Sequence, residues 1–91
     1  MYLEIVTPEA SLVSGEVESV TVPGMDGEFQ MLNNHAAIVS LLVEGTVKFR
    51  GNPTIAAGYE NKFTKEEDQW LMEITGGTIE MNNNKVIVLA N

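Results

Sequence analysis

Turn-forming residues punctuate this chain roughly every seven to twelve residues for most of its length, and that rhythm suits short strands joined by tight connections. The marks are Thr7-Pro8, Ser14-Gly15, Pro23-Gly24, Asp26-Gly27, Asn33-Asn34, Glu44-Gly45, Gly51-Asn52-Pro53, Gly76-Gly77 and Asn82-Asn83-Asn84. Proline presets φ, glycine accepts positive φ, and asparagine tolerates the left-handed region, so each mark has a mechanism. Short strands at this spacing predict an all-β sandwich or barrel-like sandwich.

The runs between the marks support strands. Met1 to Thr7 places Leu3 and Ile5 on one face and Glu4 on the other. Leu12-Val13 reads as a short second strand stopped by Ser14-Gly15, and Glu16 to Val22 as a third, with Val20 and Val22 on one face. Ala36 to Val43 is more uniformly apolar, which predicts cover on both faces. Thr46 to Arg50 alternates, with Val47 and Phe49 inward. Residues 51–69 are the least regular part and read as an extended hairpin or loop: Ile55 to Tyr59 suits a short strand, Glu60 to Lys62 a turn, and Phe63 a return. Thr64 to Glu67 has capping-box spacing for a helix. The competing strand from Trp70, with Trp70, Met72 and Ile74 inward, is favoured because Gly76-Gly77 arrives too early for a full helix. Thr78 to Met81 and Lys85 to Ala90 complete the pattern around an asparagine hairpin.

The densest stretch is Val22 to Ile38. It holds two expected turns at Pro23-Gly24 and Asp26-Gly27, a half-buried strand Glu28-Phe29-Gln30-Met31, and a third turn at Asn33-Asn34 just before the only histidine, His35. Here Phe29 and Met31 are expected to anchor in the core. Met25 between two turn signals is a flexible apolar group in an exposed place, which suits contact with a partner.

Composition narrows the functions available. The 91 residues make one domain, 1–91, large enough for a single core. There are no cysteines, so disulfides and thiolate metal sites are excluded. Thirteen acidic against five basic residues give a net charge of −8, which disfavours nucleic acid and anionic membrane surfaces. No basic start or long apolar stretch marks a signal peptide, and no run approaches the ~20 residues of a spanning helix, so any work at a membrane is expected to pass through another protein.

Chemistry is equally sparse. With one histidine and no cysteine, nucleophile–base pairs are hard to assemble, so a non-catalytic protein is expected. His35 with Asp26 and Glu28 matches no metal-ligand spacing, and no cofactor is expected. Gly24 and Gly27 do not make a phosphate loop, since no lysine or helix follows and acids flank them.

Val22 to Ala36, Val-Pro-Gly-Met-Asp-Gly-Glu-Phe-Gln-Met-Leu-Asn-Asn-His-Ala, resembles the Gly-x-x-Gly-Glu run, apolar strand and His-Ala-Pro of the epsilon subunit of F-type ATP synthase, called delta in mitochondria. Leu3 to Gly15 is similar to that family's opening strand pair. Ile74 to Met81 and Val86 to Ala90 are similar to its Gly-Gly strand and closing strand. The resemblance covers nearly all of the chain except residues 51–69.

The resemblance implies a flattened antiparallel β-sandwich of about ten strands. It also implies a place at the foot of the central stalk: bound to the gamma subunit, touching the ring of c subunits, and turning with the rotor. That position lies on the cytoplasmic side of the cell inner membrane, held peripherally by the complex, where the subunit helps couple proton flow to ATP synthesis without chemistry of its own. Carried over residue by residue, Glu28 corresponds to the acid of the Gly-Glu pair in the loop facing the c ring. His35 corresponds to the histidine of His-Ala-Pro near the same end, and Met25, Asp26 and Gly27 fill the variable part of the loop. Met25, Asp26, Glu28 and His35 are therefore the expected partner contacts.

Three departures stand out. Ala37 replaces the usual proline, residues 51–69 are longer than usual, and the family's C-terminal helical hairpin does not follow Asn91. Neither the inhibition of ATP hydrolysis nor the ATP binding associated with that hairpin is expected. The alternatives are a β-sandwich module binding a protein or carbohydrate, which would show an exposed cluster of Tyr59, Phe63 and Trp70, and an enzyme, which would need a pocket around His35.

Overall fold

A computed structural model describes residues 1–91. Ten strands run in chain order: β1 (Tyr2–Val6), β2 (Ser11–Gly24), β3 (Gly27–Leu32), β4 (Ile38–Leu42), β5 (Gly45–Gly51), β6 (Thr54–Ile55), β7 (Thr64–Glu66), β8 (Gln69–Ile74), β9 (Gly77–Asn82) and β10 (Lys85–Ala90). The single helical element is a 3₁₀ turn at Glu60–Lys62. This is the expected all-β sandwich.

The 14-residue β2 organises the molecule. Its first half pairs with β1 and β6, and its second half pairs with β3 and β5. One layer is therefore β1, β10, β9 and β4 with the start of β2. The other is β3, the end of β2, β5, β8 and β7. All neighbouring strands pair antiparallel except β1 with β10. Leu3, Ile5, Ile79, Val86 and Val88 from the first layer meet Val20, Val22, Met31, Val47 and Phe49 from the second in one core of 20 buried side chains. Alternation along each strand produces that split, since successive side chains point to opposite faces.

Several local expectations give way to this architecture. Ser14-Gly15 does not stop a strand. Gly15 lies inside β2 at φ 146°, where a Cβ would sit 2.9 Å from the Cα of Pro53, so the glycine serves a close backbone approach. Pro23-Gly24 is likewise strand rather than turn. Gly24 pairs with Gly27 and with Leu42, and the Pro23 carbonyl accepts a hydrogen bond from the Val43 amide at 2.9 Å. Thr64 to Glu66 form an exposed edge strand, not a helix start, because pairing with β8 supplies the partners that a helix would find locally. The expected strand after Gly51 shrinks to Thr54–Ile55, while Phe63 enters the core edge-on to Phe49, ring centroids 6.0 Å apart.

The largest difference concerns β4. Its uniform apolarity predicts cover on both faces, yet Val39 is 75 % and Leu41 58 % exposed while Leu42 is buried. Only the core-facing side of this strand is covered.

Candidate functional site

The hairpin between β2 and β3 forms one end of the molecule. Its loop is Met25-Asp26, both exposed, and the positive φ that the turn requires falls on Gly27 at 117°. Glu28 follows, opposite Pro23, with its carboxylate 3.2 Å from the Lys48 ammonium on β5. Phe29 packs on the core, and its ring lies so close to Gly24 that a Cβ there would be 2.7 Å away. Met31 is fully buried. The anchoring expected of Phe29 and Met31 is thus what holds Met25, Asp26 and Glu28 together at this end.

His35 stands elsewhere. β3 carries the chain about 17 Å from the Met25-Asp26 loop. There Leu32 to His35 form a turn closed by a 3.1 Å bond from the His35 amide to the Leu32 carbonyl, with Asn34 at φ 63°. The Asn34 amide donates to Asn84 Oδ1 at 2.8 Å, and the Met1 ammonium donates to Asn33 Oδ1 at 2.6 Å. The imidazole is exposed, its Nδ1 2.8 Å from the Ala36 carbonyl. Of the four contact residues read from the sequence, three share one end and His35 lies at the other. The reason is that the strand between Glu28 and His35 runs the length of the layer rather than folding back. For the same reason Asp26, Glu28 and His35 do not converge.

Two open hollows adjoin the loop. One, about 320 Å³, is polar and bounded by Thr21, Glu28, Gln30, Lys48 and Gln69 on the outer face of the second layer. The other, about 510 Å³, is bounded by Met25, Leu41, Val43 and residues 75–78, where the β8–β9 connection leads into β9. Met25 is 68 % exposed, so the loop tip joins an apolar region that continues over β4 and β10 through Leu41, Val39 and Leu89. Sequence reading missed the β4 and β10 part of this surface. Its one signal is the apolarity of residues 36–43, broken only by Ser40, which predicts two-sided burial instead.

The aromatic residues take a different arrangement from a carbohydrate platform. Phe63 is buried, Tyr59 is half-buried against the core, and the Lys65 ammonium lies over the Trp70 ring at 4.9 Å.

The whole chain, residues 1–91, matches the family model described as ATP synthase, delta/epsilon chain, beta-sandwich domain. The chain belongs to the ATP synthase delta/epsilon family. An ATP synthase epsilon chain of Chlorobium limicola is 38 % identical over 87 residues, covering 96 % of this chain and 84 % of that one. One from Campylobacter curvus is 33 % identical over 91 residues, all of this chain and 60 % of that one. The chain therefore spans less than two thirds of the length of the Campylobacter relative. Its fold is that of a chain in the cryo-EM structure of the Tetrahymena thermophila mitochondrial ATP synthase central stalk and c ring. That match has a TM-score of 0.70 and 17 % identity, over 99 % of this chain and 62 % of the other.

Proposed function

We propose that this chain acts as a non-catalytic central-stalk subunit of an F-type ATP synthase, binding the gamma subunit and touching the c ring so that rotation couples proton translocation to ATP synthesis. The observation that carries the reading is the family match across all 91 residues. The exposed Met25-Asp26 loop and Glu28 at one end of a rigid sandwich support it. So does the exposed apolar surface beside them, because a subunit held between two partners needs surfaces for both. In this reading the loop end faces the c ring and the apolar surface of β4, β9 and β10 faces gamma. The complex holds the chain peripherally, on the cytoplasmic side of the cell inner membrane.

Affinity capture of the chain from detergent-solubilised membranes of its source cell tests this. Gamma and c subunits should be recovered in fixed proportion to the chain. Capture that yields neither, under conditions in which the rest of the ATP synthase stays intact, overturns it.

A further inference from the structure

One carboxylate stands in the middle of the exposed apolar surface. On the outer face of the first layer, Glu80 of β9 lies directly opposite Val39 of β4 on one side and Ile87 of β10 on the other. The next pair positions along the strands carry Leu41, Thr78 and Leu89. Val39, Leu41 and Leu89 are exposed by half or more, and Glu80 is exposed with no hydrogen bond or ion pair. A hollow of about 240 Å³ is bounded by Val39, Glu80, Ile87 and Leu89.

The chain supplies no cation for Glu80. Lys48 is paired with Glu28 and Arg50 with Asp68, at 3.2 and 2.6 Å. Lys62 is 3.7 Å from Glu9, and Lys65 covers Trp70. Lys85 is the nearest along the face, two positions from Ile87, and its ammonium lies over the Tyr2 ring at 5.5 Å. These are all five basic side chains. The other acid in the same row, Glu4 beyond Ile87, already accepts a hydrogen bond from Ser11 at 3.2 Å. Covering this face removes water from the Glu80 carboxylate, and a desolvated charge must be paired or bonded.

We propose that the gamma surface seated on β4, β9 and β10 brings an arginine or lysine to Glu80 inside a ring of apolar side chains, so that Glu80 sets the register of docking. The proposal rests on the stalk reading above. The competing role is a charge that keeps an apolar face from associating, and it differs in sign: removing such a charge leaves docking unchanged or tightens it. If a cation meets Glu80, removing the carboxylate strands that cation and weakens docking.

The test measures binding of gamma, from the same complex, to the full chain and to Glu80→Gln, Glu80→Arg and Val39→Asp, each first shown to melt like the wild type. The expected result is that Glu80→Gln loosens the complex about thirtyfold or more. Glu80→Arg and Val39→Asp should abolish it, and the salt dependence of wild-type binding should shrink in Glu80→Gln. If Val39→Asp abolishes binding but Glu80→Gln leaves it unchanged or tighter, the cation is not there and the proposal fails while the stalk reading stands. If Val39→Asp has no effect, gamma binds elsewhere and the proposal fails. If the wild-type chain does not bind gamma at all, the stalk reading falls and the proposal falls with it.

Discussion

A Cβ on Gly77 would lie 2.1 Å from the Leu89 carbonyl oxygen, and the residue sits at φ 152°. Neither the backbone of β10 nor the glycine can give way without breaking the β9–β10 ladder that begins at Gly77 and Ala90. Gly77→Ala should therefore destabilise the fold by about 2–4 kcal/mol in urea titration, through strain and a displaced strand; a change under about 0.5 kcal/mol would refute the account. Ser19 is the opposite case. It is 4 % exposed, and its hydroxyl is buried with no partner, between Leu32 and Arg50 on the neighbouring strands. A buried hydroxyl without a partner costs stability, so Ser19→Ala should raise stability by about 1 kcal/mol. A lower melting temperature for that variant would show that Ser19 is satisfied in solution. Gly76-Gly77 was visible in the sequence as a strand boundary. The unpartnered hydroxyl was not, because nothing in the sequence says that Leu32 and Arg50 flank Ser19.

At the scale of elements, β4 and β9 each present one face to the core and one to the outside. Leu42 and Ile79 point into the core, whereas Val39, Leu41 and Glu80 point away from it. Val39→Thr should change stability by less than about 0.5 kcal/mol, while Ile79→Ala should cost about 2–5 kcal/mol. Thermal melts of the two variants that shifted alike would mean that β4 is covered on its outer face within the chain itself. The hairpin of β9 and β10 was readable in detail: Asn83 and Asn84, at φ 51° and 59°, make the two-residue loop that the asparagine run suggested. The continuity of β2 was not. Ser14-Gly15 and Pro23-Gly24 have turn chemistry locally, but pairing with five other strands holds the segment extended. Tertiary pairing overrides local preference where the ladder partners are in place.

For the molecule as a whole, charge and shape set the partners. The excess of acids leaves every basic side chain engaged with an acid or an aromatic ring. No free cation remains for a triphosphate, so calorimetry on residues 1–91 should show no micromolar binding of ATP. Under the proposed stalk function, Glu28→Lys at the loop end should weaken binding to the c ring, measured by co-purification. It should cost at most about 1 kcal/mol of fold stability, since the pair with Lys48 is half-exposed and such pairs are weak. A large fall in melting temperature would make Glu28 a structural residue instead.

The turn rhythm and the alternation of Val47-Phe49, Met72-Ile74 and Ile79-Met81 were enough to determine an all-β sandwich and most of its core, because strand periodicity is a local property of the chain. The signature around Glu28, taken together with the opening strand pair and the Gly-Gly and closing strands, pointed to the family. Which outer face stays apolar and bare, and that Glu80 stands unpaired within it, were decided only by the tertiary structure. Those facts depend on which strands become neighbours, and pairing between residues far apart in the chain leaves no trace in the local pattern.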